Sequence, residues 1–303
     1  MNRLAGRMND AGGAALTAPR TRRVMGRYTV LTVIGRLAFH VVLMAACIVV
    51  LLPFIWMFST SLKAEGDVFV FPPQWIPHPA HWDNYAQAWN ALPTGLAYIN
   101  SIKISTLVTV GGLLTCSLAA YPFAKMRFPG RDVIFIVLLA TLMIPQQVTL
   151  IPLFIVFKQL HWIDTHWPLI VPPILQNPYG VFMLRQFFRT IPSDLEDAAR
   201  MDGANPWTIY RKIVLPLSVP ALVALGIFIF LYNWNLFLTP LIYLNSQDKF
   251  TVPMLLTSFQ ADYSANWALL MAASTMALVP VLVVYLIGQR YFIEGIALTG
   301  LKG

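Results

Sequence analysis

Apolar residues in this chain come in long windows separated by short polar segments, the pattern of helices that cross a membrane. A window of about 20 apolar residues covers the roughly 30 Å of bilayer hydrocarbon. Such windows lie near 37–59, 101–124, 132–157, 168–188, 217–243 and 266–290, six spans in all. The first holds Leu43 to Phe58 without a charge. The third and fourth carry Pro145, Pro152, Pro172, Pro173 and Pro178. Membrane helices tolerate proline where neighbours or water re-satisfy the freed carbonyls, so these residues mark either bends along a pathway or packing kinks. The expected fold is all-α and polytopic: a disordered basic tail over 1–35, a first span and external loop over 36–98, a core over 99–291 and a tail over 292–303.

Composition agrees. Apolar residues make up 57% of the chain and charged residues 11%, with a mean hydropathy of +0.65; soluble domains sit near 45–50% and about 25%. The net charge of +8 is explained by topology. Of the 21 Lys and Arg, 17 fall in 1–36, 125–131, 185–212 and 290–302, and only Lys63, Lys103, Lys158 and Lys249 lie on the opposite side. Acidic residues divide seven against six, so the asymmetry is one of cations. The positive-inside rule then places both termini and the 196–216 segment in the cytoplasm, and a nucleic-acid role has no support. The basic stretch to residue 27 is too long and polar to head a cleavable signal peptide. The first apolar run is therefore expected to remain as a signal anchor, and Met25 offers a second start. Cys47 and Cys116 fall inside spans without metal-ligand spacing and read as small buried hydrophobes.

The most structured polar segment lies between the fourth and fifth windows. Ser193 and Glu196 have the spacing of a capping box, with Asp194, Glu196 and Asp197 in the first turn, where negative charge suits the helix dipole. Gly203 is placed for a left-handed C-cap. Asn205 can cap a second helix with Pro206 at its first position, and Arg211 and Lys212 fall near that helix's end. The residues predict two short helices over 193–215 joined at a glycine elbow; an ordinary well-capped interhelical loop accounts for them equally.

Amides beside aromatic rings occur within or near the spans: Gln146, Gln147, Gln176, Asn177, Asn233 and Asn235, with Tyr232 and Trp234 alongside. They suit sugar hydroxyls and ring faces, or else ordinary interhelical hydrogen bonds. The loop over 60–98, with Phe71-Pro72-Pro73-Gln74-Trp75 and Trp82, suits the membrane interface, or else a packed or partner-binding role. That over 244–265, with Asn245, Gln247, Asp248, Gln260, Asp262 and Tyr263, reads as a solvated connector.

Energy sources are missing from the sequence. No lysine follows a glycine, so there is no phosphate-binding loop, and no mid-span Asp, Glu or His relay of the kind proton-coupled carriers use. His40, His78, His81, His161 and His166 show no metal spacing. A secondary carrier would need coupling charges and internal repeats, and neither is present.

The spacing Asp197-Ala198-Ala199, Gly203 and Ile213-Val214-Leu215-Pro216 resembles the signature of type I ABC importer permeases: Glu-Ala-Ala, three residues, Gly, nine residues, Ile-x-Leu-Pro. The first position departs, being Asp with Glu196 just before it. Ser59 to Lys63, Asn100-Ser101 and the tail from Phe292 to Gly303 are similar to maltose-type carbohydrate permeases, the second permease subunit in particular. A non-transporting scaffold would leave this spacing a coincidence. The resemblance implies a non-catalytic subunit of a bacterial inner-membrane importer. It would have coupling residues Glu196, Asp197, Ala198, Ala199, Arg200, Asp202, Gly203, Ile213, Leu215 and Pro216. The implied partners are a second related permease, two ATPase subunits that hold ATP and Mg, and an extracytoplasmic solute-binding protein delivering sugar. Gln146, Gln147, Asn177, Tyr232, Asn233, Trp234 and Asn235 are then pathway residues, and the 244–265 loop is by resemblance a docking surface for the solute-binding protein. Glycerol phosphate diesters are the neighbouring cargo class, and this chain itself is expected to bind no cofactor or metal.

Overall fold

The computed structural model describes residues 24–262 and 266–300, with side chains over 32–259 and 266–289. Helix is the only regular secondary structure among the described residues, with no strand. Two units are distinguished, Met1–Ile55 and Trp56–Gly303. The first holds helix α1 (Val24–Ser61) as far as Ile55. Residues 24–35, expected as part of a disordered tail, are helical, because extending a helix already nucleated by an apolar run is far easier than starting one. Residues 1–23 of that tail lie outside the described residues.

In the second unit the organising element is α3 (Thr94–Lys125), 32 residues and so about 48 Å long. Its buried positions include Ala97, Ser101, Ile104, Ser105, Val108, Gly112, Cys116 and Ala120, a seam at three- and four-residue steps composed mainly of small side chains. Leu107, Val110, Leu114 and Leu118 are exposed. Small residues inward and large apolar ones outward is the arrangement of a helix solvated by lipid, where close backbone approach replaces hydrophobic burial as the packing force. Cys116 is buried as expected, whereas Cys47 is exposed.

Around α3 pack α6 (Trp167–Leu175), α7 (Pro178–Thr190) and α11 (Val219–Trp234). One apolar core joins Ile104, Val108, Leu169, Leu184, Phe188, Val214 and Leu225. A second, around Trp234, Phe259 and Leu269, ties α2 (Asp83–Ala91), α13 (Val252–Asp262) and α14 (Trp267–Gly300) to α3 and α11. Glu65 fixes the start of α14, accepting from the Trp267 and Ala268 amides at 3.1 and 3.0 Å.

Three helices, within α1, α3 and α14, are long and apolar enough to cross a membrane, and two bent pairs raise the number to five among the described residues. The expected third span is α4 (Arg131–Ala140) followed by α5 (Gln146–Gln159), bent by 96° at Pro145. The expected fourth is α6 and α7, broken at Gln176–Asn177 between Pro173 and Pro178. The fifth is shorter than the apolar window: α11 stops at Trp234, and α12 (Leu238–Tyr243) follows a break. Proline explains the first two interruptions, since it removes a backbone donor and disfavours helix at the preceding residue.

Candidate functional site

The polar segment between α7 and α11 folds as the two-helix element. Helix α8 (Ser193–Met201) ends in a left-handed Gly203 at φ +80°. The Ala204 amide donates to the Ala199 carbonyl at 2.9 Å and the Gly203 amide to Arg200 at 3.0 Å, the paired bonds of a Schellman cap. Asn205 caps α9 (Pro206–Ile209), accepting from the Thr208 amide at 2.8 Å. The chain then passes through a π-helical turn, Tyr210–Val214, and the short α10 (Leu215–Leu217). A 76° bend at Ser218 leads into α11. Pro216 and Pro220 each lack the donor that a continuous α-helix needs here. At the bend the Ser218 hydroxyl and amide both donate to the Val214 carbonyl, at 2.7 and 3.1 Å.

The expected capping box is not formed: α8 has no side-chain cap hydrogen bond, and Glu196 turns inward instead. Glu196 is 3% exposed, with Lys125 Nζ 2.6 Å from its Oε1 and Arg200 3.5 Å from its Oε2. Lys125, the last residue of α3, also donates to the Ile191 carbonyl at 2.7 Å. A buried carboxylate needs such partners, so the element is pinned to the end of α3. Further in, the Ser117 and Tyr210 hydroxyls lie 2.8 Å apart, buried. The acid at the signature position, Asp197, is exposed and accepts from Arg200 at 2.9 Å. Ala199, Ile213 and Leu215 are half-buried against the core; Ala198, Asp202, Gly203 and Pro216 are exposed. The element's outer surface also carries Leu195, Met201 and Trp207, which are 44%, 88% and 58% exposed. Sequence reasoning passed over these three apolar residues, whose signal was their interruption of an otherwise charged segment.

A second set of candidates surrounds two adjoining cavities. One, of about 540 Å³, is lined by Gln176, Asn177, Tyr179, Phe228, Tyr232 and Asn233 among others. The other, of about 340 Å³, shares Gln176 and Tyr232 and adds Gln146, Thr149 and Thr239. Gln146 donates to the Thr239 hydroxyl at 3.0 Å. Asn177 has a structural duty as well, accepting from the Gly180 amide at 2.8 Å to cap α7. That helix begins tight against α3: a Cβ on Gly180 would lie 2.7 Å from Cys116 Sγ. Asn233 donates to the Ile229 carbonyl at 2.7 Å while its Oδ1 is buried without a partner. Gln147, Trp234 and Asn235 line neither cavity. Trp234 is 2% exposed and stacks on Phe230 in the second core, and Asn235 donates to Leu231 on an exposed surface.

At the far end of α3, the segment 244–252 is held rather than loose. Asp164 accepts from the Asn245 and Ser246 amides, the Ser246 hydroxyl and Lys249 Nζ, all within 3.0 Å. Asn100 donates to the Asp248 and Phe250 carbonyls, and Ser101 accepts from the Val252 amide. Tyr263 and the side chains of Gln260 and Asp262 lie outside the described residues. Lys249, then Ser246 and the two amides, hold the Asp164 carboxyl well below the usual carboxylate range. A lowered folded pKa means that the contribution to stability is present above about pH 4 and is lost as pH falls below it. Amide hydrogen exchange at Asn245 and Ser246 should therefore be unaffected by titration of this group between about pH 7 and about pH 5, once the intrinsic rate change is removed. Asp164→Asn should speed it at both pH values, and protection equal to the unaltered chain would refute the clamp.

Residues 111–297 match the family model of binding-protein-dependent transport system inner membrane components. The chain is 37% identical over 248 residues to the arabinooligosaccharides transport system permease protein AraQ of Halalkalibacterium halodurans, covering 81% of this chain and 86% of that one. It is 33% identical over 265 residues to the sn-glycerol-3-phosphate transport system permease protein UgpE of Yersinia pestis, covering 85% and 94%. Its fold is similar to a chain of a bacterial ABC transporter involved in the import of the acidic polysaccharide alginate. There the TM-score is 0.74 at 23% identity, over 91% of this chain and all of that one. With the capped two-helix element seated inside the matched region, this chain belongs to the family of binding-protein-dependent transport system inner membrane components.

Proposed function

We propose that the chain is the permease subunit of an ATP-driven importer that carries a sugar through the bacterial inner membrane, with both termini and the α8–α9 element in the cytoplasm. The observation that carries this reading is that element: exposed on its outer face, rigidly capped, and joined to α3 through Glu196 and to α11 through Ser218. A stiff projection of this kind transmits displacement instead of absorbing it. Leu195, Met201 and Trp207 give it an apolar surface for a separate ATPase subunit, where ATP and Mg are held and hydrolysed. ATP-driven closure of two such subunits draws this element towards its counterpart on a second, related permease and opens the pathway outward; hydrolysis resets it. The family's binding-protein dependence supports delivery by an extracytoplasmic solute-binding protein. The surface assigned to it is the opposite end, where Asp164 braces the 244–249 segment.

The cavities support one cargo class over the other. Their linings combine amides, hydroxyls and rings with no Lys or Arg, which favours a neutral sugar over a glycerol phosphate anion. In membrane vesicles containing the assembled transporter, Gln176→Ala and Asn233→Ala should each lower sugar uptake roughly two- to tenfold, the worth of one hydrogen bond. Asn235→Ala should leave uptake unchanged. Full uptake in both cavity variants would remove these cavities from the route.

A further inference from the structure

The Met126–Gly130 turn between α3 and α4 opens on a cavity of about 340 Å³ lined by Arg127, Phe128, Gly130, Arg131, Asp132 and Val133. Arg131 Nε donates to Asp132 Oδ1 at 3.0 Å, and Arg131 Nη1 donates to the Met126 carbonyl. Arg185 Nη2 lies 3.9 Å from the same carboxylate oxygen. The Arg185 guanidinium rests over the Phe135 ring at 4.0 Å and donates to the Phe123 carbonyl. Arg189 is within electrostatic range of Asp132. Three guanidinium groups thus gather around one carboxylate, and Arg127 lines the cavity beside them.

The surface next to this cluster is apolar. Val133, Ile134, Ile136 and Val137 are each more than half exposed, and their spacing puts them on one side of α4. From Arg131 to Val137 the helix climbs about 9 Å, away from the charges and along the direction in which α4 enters its span. A surplus of positive charge at the foot of an apolar helical face matches a molecule with an anionic head and hydrocarbon tails.

We infer that this is a binding site for an anionic phospholipid of the cytoplasmic leaflet, its phosphate held at Arg127, Arg131 and Arg189 and its acyl chains lying along α4. The inference rests on the membrane placement proposed above, but not on the transport assignment. Arg185 is the built-in part of the site, held in orientation by Phe135 and the Phe123 carbonyl. Arg127 and Arg189 are exposed and supply the adjustable charge. Juxtamembrane basic groups attract anionic lipid by about fivefold for each Lys or Arg near the surface.

Native mass spectrometry of the full chain, released from detergent with equimolar phosphatidylglycerol and phosphatidylcholine of matched acyl length, tests the site. The expected result is retention of phosphatidylglycerol by at least about fivefold, falling towards parity in the Arg127→Gln/Arg189→Gln variant. Arg27→Gln/Arg36→Gln, which removes two cations that the charge pattern puts on the same side, should keep the preference. Parity in the unaltered chain would overturn the inference. So would an equal loss in both double variants, which would mean diffuse attraction, or displacement of the lipid by millimolar inorganic phosphate, which would mean a small-anion site. Because the readout is lipid preference, its failure leaves the transport function standing, and a chain without transport would still report on the lipid.

Discussion

Gly203→Asp is expected to leave the chain inserted in the membrane while uncoupling ATP hydrolysis from uptake. Space is not the obstacle, since nothing lies within 4 Å of a Cβ added there. The obstacle is φ at +80°, a left-handed conformation that costs a side-chain-bearing residue roughly 1–2 kcal/mol. Relief of that strain means reopening the Schellman bonds from Gly203 and Ala204, which swings α9 relative to α8. The proposed ATPase contact spans both helices, through Leu195 and Met201 on one side of the elbow and Trp207 on the other. Strain of 1–2 kcal/mol would depopulate the docked geometry about 5- to 30-fold, and the added carboxylate stands beside Asp202. Uptake and ATPase rate measured together in proteoliposomes containing the whole transporter provide the check. Uptake should fall by about that factor while hydrolysis persists, and normal uptake would refute the elbow's role.

The largest effect on stability is expected at Lys125. Lys125→Met removes the cation 2.6 Å from a carboxylate that is 3% exposed. Breaking a buried pair from one side typically costs 3–5 kcal/mol, because the surviving charge has lost its solvent and its partner. Arg200, at 3.5 Å and half exposed, supplies partial compensation, so the loss should fall at the lower end, about 3 kcal/mol. Replacing both members, Lys125→Met with Glu196→Met, should recover most of it, since two apolar side chains carry no stranded charge. Thermal unfolding in detergent gives the comparison. If the single variant melts with the unaltered chain, or the double variant melts below the single, the pair does not anchor the element.

Much of this was open to reading from residues alone, for reasons that are local. Gly203 and Asn205 declare themselves because a left-handed cap and an N-cap depend on residues within four positions. The same holds for the proline interruptions near 145 and 173–178. Glu196 was misread as a capping partner of Ser193 because the competing partner, Lys125, is 71 positions away and nothing in the sequence joins them. The Asp164 clamp on 245–249 was hidden for the same cause, its partners lying 81 to 85 positions apart. Trp234 and Asn233 show the limit within a single span. Adjacent on one helix, they point about 100° apart, so one enters the second core and the other a cavity. The sequence does not say which neighbour each face of the helix meets.

Helix α3 is held at its last turn through Lys125 and in its second turn through Asn100 and Ser101. Whatever settles on either tip of this rod with a preference for one tilt must share that preference with the other tip, by an equal free energy in both directions. On the function proposed above, a cargo carrier outside and a motor inside that favour the same tilt would strengthen each other's hold by one common factor, with no messenger beyond the tilt of one helix.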